Sequence, residues 1–497
     1  MARDSLGVDY KPPFYKTKKF WIICVILIIV IVVILVPVLL LVAFPKIAQS
    51  NIDSSSIYFN DVNITFSSPN INTVTKRDGV DWNNTFTISM SGGIGNAGAI
   101  GATIDFPTPI TVSWNGFLLG SLTLPSVTIS GGNGQLLSST TFTINDTNVF
   151  GNFSKYLLSE TSFTWVLDGR VTVHALGRTI EDLSLHKEVT MQGMGGFPDV
   201  RILEFNLPGD DPQGGINMTI ATELQNPSPI SVQLGTIVLN IGYGNTFIGP
   251  VTAKNVILVG RSGTNITLSG RMLPQTTPEA LAQISDLMSR YIGNLVSNTV
   301  RSSFSLFRIK SRKTAAGVSA APDGVNPVNW LSEGFKSVTL KVPLQAPSGI
   351  QLITGITLGS MNLAFNAQTP YAPMASSDNV SANFKMPFGF TLNITQVEQN
   401  MTIATFKDGG IASLQSTWGN ATSNLGAGLL SFKLNNAPLQ VLPGKELAFN
   451  DFTTGLTLGS QYNFSVIGNS TVGASTPIGN VILSHIPFNA NTSLQGW

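Results

Sequence analysis

Residues 216–220 read Ile-Asn-Met-Thr-Ile, and this alternation of apolar and polar side chains decides the fold. Successive side chains of a β-strand point to opposite faces, so a period of two predicts a strand with one buried and one solvated face. Similar runs, bounded by Gly, Pro, Asn and Ser, lie at residues 86–90, 171–173, 338–340 and 390–394. Short strands separated by turns are typical of stacked antiparallel sandwiches. The chain is therefore predicted to be mainly β, with immunoglobulin-like antiparallel β-sandwich repeats and a few short helices.

Two parts of the chain resemble each other. Pro107-Thr-Pro-Ile-Thr-Val112 matches Pro227-Ser-Pro-Ile-Ser-Val232, and Gly120-Ser-Leu-Thr-Leu-Pro-Ser-Val127 resembles Gly249-Pro-Val-Thr-Ala-Lys-Asn-Val256 in the same order. This similarity predicts two repeated sandwiches, residues 81–186 and 187–310. The alternative is a chance match in a proline-rich chain. A weaker echo at residues 383–392 predicts a third sandwich over residues 336–497.

One segment has the periodicity of a helix. Thr277 is suited to cap it and Pro278 to its first turn. One face carries Leu281, Ile284, Met288, Tyr291 and Leu295, a stripe better explained by core packing than by a lipid surface. The sequence thus predicts a helix over residues 278–296, with a shorter counterpart over 150–158. The basic, Ala- and Gly-rich residues 311–335 are predicted to form a flexible linker.

Residues 20–44 form an uncharged apolar run, FWIICVILIIVIVVILVPVLLLVAF. As a helix it is roughly 37 Å long, enough to cross a bilayer, and it is too long for a signal peptide. Five cations precede it, whereas only Lys46 follows closely. The positive-inside rule therefore predicts a transmembrane helix with residues 1–19 in the cytosol and everything after it in a lumen or outside the cell. Residues 45–80 are predicted to be a stalk or leading strand.

Glycosylation sequons support this orientation, because all of them follow the apolar run. They are Asn63, Asn83, Asn145, Asn152, Asn217, Asn265, Asn379, Asn393, Asn400, Asn420, Asn463, Asn469 and Asn491. Several lie in alternating runs, where the period of two places the Asn on the wet face of a strand. A glycan there leaves the apolar face free for the core.

The composition excludes several classes of protein. Charged residues make up 11% of the chain and its net charge is +1, so no nucleic-acid binding is expected. The single cysteine, Cys24, lies inside the apolar run, where it is available for palmitoylation or packing. The part beyond the run therefore has no internal disulfide and depends on burial for stability. Its length is too great for one core and suggests two to four domains.

Three features together resemble a known family: the N-terminal anchor, the Asn226-Pro-Ser-Pro-Ile-Ser-Val232 turn, and the order of strands followed by a helix. The chain resembles fungal membrane-anchored proteins with tandem late-embryogenesis-abundant type 2-like lumenal domains. That family includes vacuolar-membrane proteins, one of them linked to ending autophagy. The resemblance implies a vacuolar location and a sandwich whose apolar groove holds lipid, but it transfers no specific site residue.

Catalysis finds little support, and we expect no enzyme, cofactor or metal site. The histidines are His174, His186 and His485, and His174 shares a polar strand face with Thr172, as a solvated histidine does. Asp210 and Asp211 are typical of a turn or a loose cation contact. Residues 93–98, Gly-Ile-Gly-Asn-Ala-Gly, match a dinucleotide motif, but a strand rather than the required helix is predicted to follow.

The N-terminal tail and the stalk each carry a short motif. Pro12-Pro13-Phe14-Tyr15 resembles a ligand of WW domains, which occur in ubiquitin ligases, and Pro12, Pro13 and Tyr15 are the contact candidates. A rigid, basic spacer beside the membrane is the alternative. The dibasic pair Lys76-Arg77 is a candidate site for a processing protease or an ordinary solvated pair.

The sequence therefore predicts a non-enzymatic, membrane-anchored lumenal protein that binds or tethers, in the vacuole or the wider endomembrane system. The plasma membrane or cell surface is the second location. The alternative function is lipid binding or transfer through an apolar groove of the sandwiches.

Overall fold

The protein is described here from a computed structural model, in which residues 18–38, 42–66, 82–297, 315–340, 352–386, 388–458 and 461–494 are described. These residues divide between two compact units. The first lies within Met1–Val149 and Thr164–Met191, and the second within Phe150–Phe163 and Gln192–Trp497. Strands dominate both units and belong to two sheets, so the prediction of a mainly β chain is confirmed.

The first unit begins with two helices and continues with strands. Its elements are α1 (Lys18–Val38), α2 (Phe44–Ser54), β1 (Ser56–Thr65), β2 (Thr85–Gly95), β3 (Ala102–Asp105), β4 (Ile110–Trp114), β5 (Phe117–Leu122), β6 (Val127–Ser130), β7 (Asn133–Ile144), β8 (Ser162–Ala175) and β9 (Arg178–Gln192). The strands pair in the order β1-β2-β7-β5-β4-β8-β3-β6, all antiparallel, and β9 pairs with β8. The rings of Phe86 and Phe142 stack in the core with their centroids 4.9 Å apart.

Among the parts of the chain that the structure describes, no helix has both the length and the hydropathy needed to span a membrane. Residues 39–41 of the predicted span lie outside those parts. The transmembrane helix over residues 20–44 stays a prediction.

The second unit opens with α3 (Thr147–Ser159). The first three residues of this helix belong to the first unit. It continues with β10 (Arg201–Asn206), β11 (Ile216–Asn226), β12 (Ile230–Tyr243), β13 (Thr246–Leu258), β14 (Ser262–Met272), α4 (Pro278–Ser297), β15 (Ala315–Ala321), α5 (Asn329–Lys336) and β16 (Thr339–Leu340). These strands pair in the order β10-β11-β14-β13-β12-β15-β16. Helix α4 buries Ile284, Met288 and Tyr291. The predicted apolar stripe is thus a packing surface.

The rest of the second unit is a separate nine-stranded sheet. It contains β17 (Ile353–Leu358), β18 (Asn362–Asn366), β19 (Thr369–Phe384), β20 (Asn393–Thr405), β21 (Gly409–Gln415), β22 (Gly419–Asn424), β23 (Leu429–Val441), α6 (Glu446–Leu458), β24 (Tyr462–Thr476) and β25 (Gly479–Leu494). The main strand order is β17-β19-β23-β21-β20-β24-β25. Phe452 of α6 lies fully buried, and its ring meets that of Phe464 edge to face at 5.3 Å.

Helix α4 covers the free edge of β25. Ser289 Oγ accepts a hydrogen bond from the N–H of Ser484 at 2.9 Å and donates to the carbonyl of Ile482 at 3.3 Å. Ser285 Oγ accepts from the N–H of Ile482 at 3.0 Å. Because an uncovered edge exposes unpaired N–H and C=O groups, the two serines give β25 the partners that a further strand would supply.

The structure differs from the prediction of a flexible linker over residues 311–335. Residues 311–314 lie outside the described parts, but β15 and α5 occupy most of the remainder. Strand β15 pairs with β12, and Trp330 of α5 packs edge to face on Phe150 of α3 at 4.7 Å. Small residues in β15 allow the close packing, since a side chain at Gly317 would overlap the Phe335 carbonyl. A composition typical of a linker therefore folds through tertiary contacts.

The turn between β11 and β12 is held by a buried polar network. Asn226 Oδ1 accepts from the N–H of Ser228 at 3.0 Å, and Asn226 Nδ2 donates to the carbonyl of Ile230 at 2.9 Å. Ser228 Oγ in turn donates to the carbonyl of Gln192 at 2.7 Å. Asn226 is 1% exposed. The Asn-Pro-Ser-Pro-Ile motif therefore replaces the backbone hydrogen bonds that its prolines cannot make.

We predict that Asn226→Ala lowers the stability of the protein by about 2–4 kcal/mol, because it leaves a buried N–H and a buried carbonyl without partners. The measurement is chemical unfolding followed by intrinsic fluorescence. Asn489→Ala is the matched control, since Asn489 lies on the exposed face of β25. Equal stability of the two variants contradicts the role given to the network.

Candidate functional site

The candidate site lies in the first unit, where helix α2 packs on the strands. Pro45 occupies the first turn of α2, where its missing N–H costs nothing. Phe44, Ala48 and Ile52 follow a spacing of four and share one face, and Ile52 is buried. The helix ends at Ser55, whose N–H bonds to the carbonyls of Asn51 and Ile52. The buried face of this short helix points to the strands.

Gln49 joins α2 to the backbone of strand β9. Its Nε2 donates to the carbonyl of Ser184 at 2.9 Å, and the N–H of Ser184 donates to Gln49 Oε1 at 2.9 Å. Among the described strands, β9 pairs with β8 alone. The Gln49 carboxamide therefore takes the place of a neighbouring strand at the outer edge of β9.

Lys187 makes the second connection between β9 and α2. Its Nζ donates to the carbonyls of Asp53 at 2.9 Å and Ser55 at 2.6 Å, at the C-terminal end of the helix. Unpaired carbonyls give that end a partial negative charge, which favours a cation. The residue is only 6% exposed, and its burial lowers the pKa of the ammonium, while the Asp53 carboxylate acts in the opposite direction. We name Gln49, Ser184 and Lys187, with the C-terminal end of α2, the α2 clamp.

An apolar cleft lies beneath α2. Its walls are Phe44, Ile47, Ala48, Asn51, Ile52 and Ser55 on the helix side, and Ala97, Ile100, Ala102, Ile104, Ile129, Val173, Ala175 and Ile180 on the other. Its free volume is about 40 Å³, room for a few water molecules. An acyl chain is much larger than that, so it fits only if α2 moves away from the strands.

The sequence pattern held one signal for the α2 clamp. Residues 183–189 read Leu-Ser-Leu-His-Lys-Glu-Val, and their burial alternates with a period of two. Lys187 occupies an inward position between Leu185 and Val189. A lysine at an apolar position of an alternating strand indicates a buried cation that needs acceptors. No comparable signal marks Gln49, because its partner is a backbone group 135 residues away.

Two histidine–carboxylate pairs lie on the exposed face of β8 and β9. His174 Nε2 lies 2.9 Å from Asp105 Oδ2, and His174 Nδ1 lies 2.9 Å from Thr179 Oγ1. The hydrogen bond from Ser126, and then the contact with His174, hold the pKa of Asp105 below its usual value. The imidazole of His174 is 43% exposed. The position of His174 on a solvated strand face agrees with the expectation from the sequence.

The second pair joins His186 Nδ1 to Asp168 Oδ1 at 2.6 Å. This hydrogen bond, together with the charges of Asp168 and Glu188, raises the pKa of His186, whereas Lys187 acts against them. The pair is exposed to solvent on both sides. It is therefore a surface contact that strengthens as the imidazole gains its proton.

An open cleft separates β13 from β14 in the second unit. The two strands pair only at Val251–Gly270 and Thr252–Ser269 and then part. Asn255 has a positive φ of 56° where β13 bends, and exposed Asn265 lines the cleft on the β14 side. The cleft measures about 730 Å³, and its walls mix polar residues such as Lys254 and Thr264 with the apolar Val256, Ile257 and Ile266. The predicted glycosylation site Asn265 is therefore one of the residues that line this cleft.

The predicted glycosylation sites all fall within the described residues. None of the thirteen is buried: Asn83 and Asn217 are half-buried and the other eleven are exposed. Pro12, Pro13 and Tyr15, like Lys76 and Arg77, lie outside the described residues.

The acidic and glycine-rich motifs have structural roles. Asp210 accepts hydrogen bonds from the N–H and Oγ1 of Thr391 at 2.8 and 2.6 Å, and Asp211 lies 3.4 Å from Arg271. Residues 93–98 are followed by strand β3, as the sequence predicts. In the part of the chain that the structure describes, no three His, Cys, Asp or Glu side chains gather closely enough to hold a metal ion.

Comparisons with known proteins identify no function. A family model described as a protein of unknown function, DUF3712, matches residues 118–241, which run from β5 into β12. No curated protein matches the chain. A solved structure, the B domain of a biofilm associated protein, is 10% identical over 88% of this chain and 87% of that chain, with a TM-score of 0.12. That likeness carries no argument about the fold.

We predict that Lys187→Met releases α2. The variant keeps an apolar stem of similar length but leaves the carbonyls of Asp53 and Ser55 without their donor, at a cost of about 1–3 kcal/mol. Amide hydrogen exchange over residues 47–55 should accelerate while exchange in α4 stays unchanged. Lys155→Met is the matched control, because Lys155 makes an exposed ion pair with Glu333. Unchanged protection of α2 in Lys187→Met contradicts the α2 clamp.

We also predict that His186→Gln lowers the melting temperature more at pH 5 than at pH 8. The pKa of His186 is higher in the folded than in the unfolded state, so the pair stabilises fully below about pH 6.5 and stops doing so as pH rises through the folded pKa. Thermal unfolding at both values measures the difference. In an Asp168→Asn background the same substitution should show a much weaker pH dependence, because Asp168 contributes the largest effects on the pKa of His186, and an undiminished dependence assigns it to another group.

Proposed function

We propose that this chain is a single-pass, glycosylated membrane protein that displays its β-sandwiches in a vacuolar or other endomembrane lumen as a non-enzymatic binding or tethering module. The observation that carries the proposal is the α2 clamp. Helix α2 starts where the apolar run of residues 20–44 ends, and the clamp fixes it to the edge of β9. The clamp leaves no flexible joint between α2 and the strands. A force on the anchor, or a change in its orientation, is therefore transmitted to the first unit.

The sequons support the same orientation. All thirteen follow the apolar run, and none of them is buried in the fold. Glycans at these positions leave the apolar faces of the strands to the core.

The proposal predicts two properties of the full-length protein expressed in a eukaryotic host. It should stay in the membrane pellet after alkaline carbonate extraction, since a spanning helix is not removed by high pH. Endoglycosidase treatment should increase its electrophoretic mobility, and replacing all thirteen sequon asparagines by Gln should abolish that shift. Release by carbonate, or a mobility that the enzyme leaves unchanged, contradicts the anchored lumenal arrangement.

Lipid binding is the second candidate function, and the apolar cleft beneath α2 is the observation that favours it. Its walls are almost entirely hydrocarbon, although an acyl chain requires α2 to move. Ala48→Trp fills the cleft and should remove a lipid that co-purifies in stoichiometric amount, as measured by lipid extraction and mass spectrometry. Val259→Trp, at an exposed position of the second unit, is the control. Equal lipid content in both variants contradicts lipid binding in this cleft, and tethering is then the remaining candidate function.

The N-terminal tail adds a proposed partner on the cytosolic side. Residues Pro12, Pro13 and Tyr15 form the Pro-Pro-x-Tyr ligand of a WW-domain ubiquitin ligase, with four lysines close by as acceptors. This contact suits sorting of the anchored protein towards a vacuole.

A further inference from the structure

The α2 clamp fixes the direction in which helix α2 and strand β9 run. Lys187 bonds to the C-terminal end of the helix, and Ser184 bonds to Gln49 near its middle. The two elements therefore run parallel along their shared length. Moving back along β9 from Ser184 means moving towards the N-terminal end of α2, which is the end that joins the apolar run.

The hairpin between β8 and β9 extends past that end. Six residues of β9 separate Ser184 from Arg178 at the hairpin turn, roughly 20 Å, whereas five residues of helix separate Gln49 from Phe44, roughly 8 Å. Ala175 and Ile180, on either side of the hairpin turn, line the same cleft as Phe44. The hairpin tip therefore lies beyond the first turn of α2, on the side from which the chain leaves the apolar run.

The tip presents an apolar side chain to solvent. Leu176 is 73% exposed, in a turn where Leu176 and Gly177 both have positive φ, 51° and 70°. Such a turn favours Asn-Gly or Gly-Gly, so the local backbone conformation does not explain why position 176 is a leucine. Ile47 on α2 and Ile100 on the opposite cleft wall are also exposed, and both line the cleft that Ala175 lines next to Leu176. Three exposed aliphatic side chains, Leu176, Ile47 and Ile100, thus lie at the cleft end of the unit.

Two cations accompany these apolar side chains. Lys46 in the first turn of α2 and Arg178 just after the hairpin turn are both exposed. Cationic side chains beside aliphatic ones are the combination that suits the boundary between lipid phosphates and acyl chains.

We propose that the β8–β9 hairpin tip, residues 175–178, is a second membrane contact, in which Leu176 enters the lumenal leaflet and Arg178 meets lipid phosphate. The proposal rests on the anchored arrangement proposed above, because the bilayer at the end of residues 20–44 is what brings lipid to this end of the unit. With α2 oblique to the membrane, Phe44 and Leu176 reach the surface together. The first unit then contacts the membrane at two places, the anchor and the hairpin tip.

The test uses the full-length protein in liposomes of phosphatidylcholine and phosphatidylserine. Cys24 is the single cysteine, so a Cys24→Ser background allows an environment-sensitive fluorophore to be placed by Leu176→Cys. Its emission should shift to the blue, and nitroxide-labelled lipid should quench it strongly. Arg178→Glu in the same background should reduce that quenching, and more so with the anionic lipid than in phosphatidylcholine alone.

Phe117→Cys is the matched control. Phe117 is 57% exposed and follows a turn of the same type, in which Asn115 and Gly116 have φ of 51° and 79°. Because β4 pairs antiparallel with β8 through Ser113 and Val166, this turn lies at the opposite end of β8 from Leu176. A probe there should remain in water and escape quenching.

Liposome flotation separates failure of the two proposals. Equal quenching at positions 176 and 117, in protein that floats with the liposomes, overturns the hairpin contact and leaves the anchor intact. Protein that stays at the bottom of the gradient overturns the anchor, and the hairpin contact with it.

Discussion

The backbone groups at the edges of the sheets are the constraint on which this structure depends. A terminal strand carries N–H and C=O groups that need partners, and an unpaired edge invites pairing with another chain. In β9 and β25 the partners come from helices. Gln49 of α2 pairs with Ser184, and Ser285 and Ser289 of α4 pair with Ile482 and Ser484. Each contact protects an edge and fixes a helix with the same hydrogen bonds.

This arrangement explains why a lysine lies in the core of a chain with few charges. Burying an ammonium group is costly unless acceptors replace the lost water. The end of α2 supplies two carbonyls at fixed distances, so Lys187 is satisfied only when the helix is in place. A buried cation therefore specifies one position for α2, whereas apolar packing through Ile52 alone would tolerate small shifts. The hydrogen bonds of Gln49 at the edge of β9 and those of Lys187 in the core therefore require the same position of α2.

The strands and the long helix could be predicted because their signals are local. Alternation over residues 216–220 and the spacing in α4 depend on a few neighbouring side chains. The glycines that open the two similar stretches each lie close to a neighbouring strand: a side chain at Gly120 or Gly249 would overlap the carbonyl of Thr143 or Arg271. Strand β15, helix α5 and the α2 clamp were missed because their order comes from partners distant in the chain. Trp330 gains its burial from Phe150, and Gln49 its hydrogen bonds from Ser184.

The polar side chains of the described residues fall into two groups, one buried and one in solvent. The buried polar side chains, such as Asn226 and Lys187, bond to the backbone and hold turns and helices in place. The histidine–carboxylate pairs lie in solvent, where a low dielectric cannot strengthen them. The cleft beneath α2 has a different character, since it is small and apolar. His174 lies between Val173 and Ala175, which both line that cleft, and the alternation of a strand therefore places its imidazole on the opposite, solvated face.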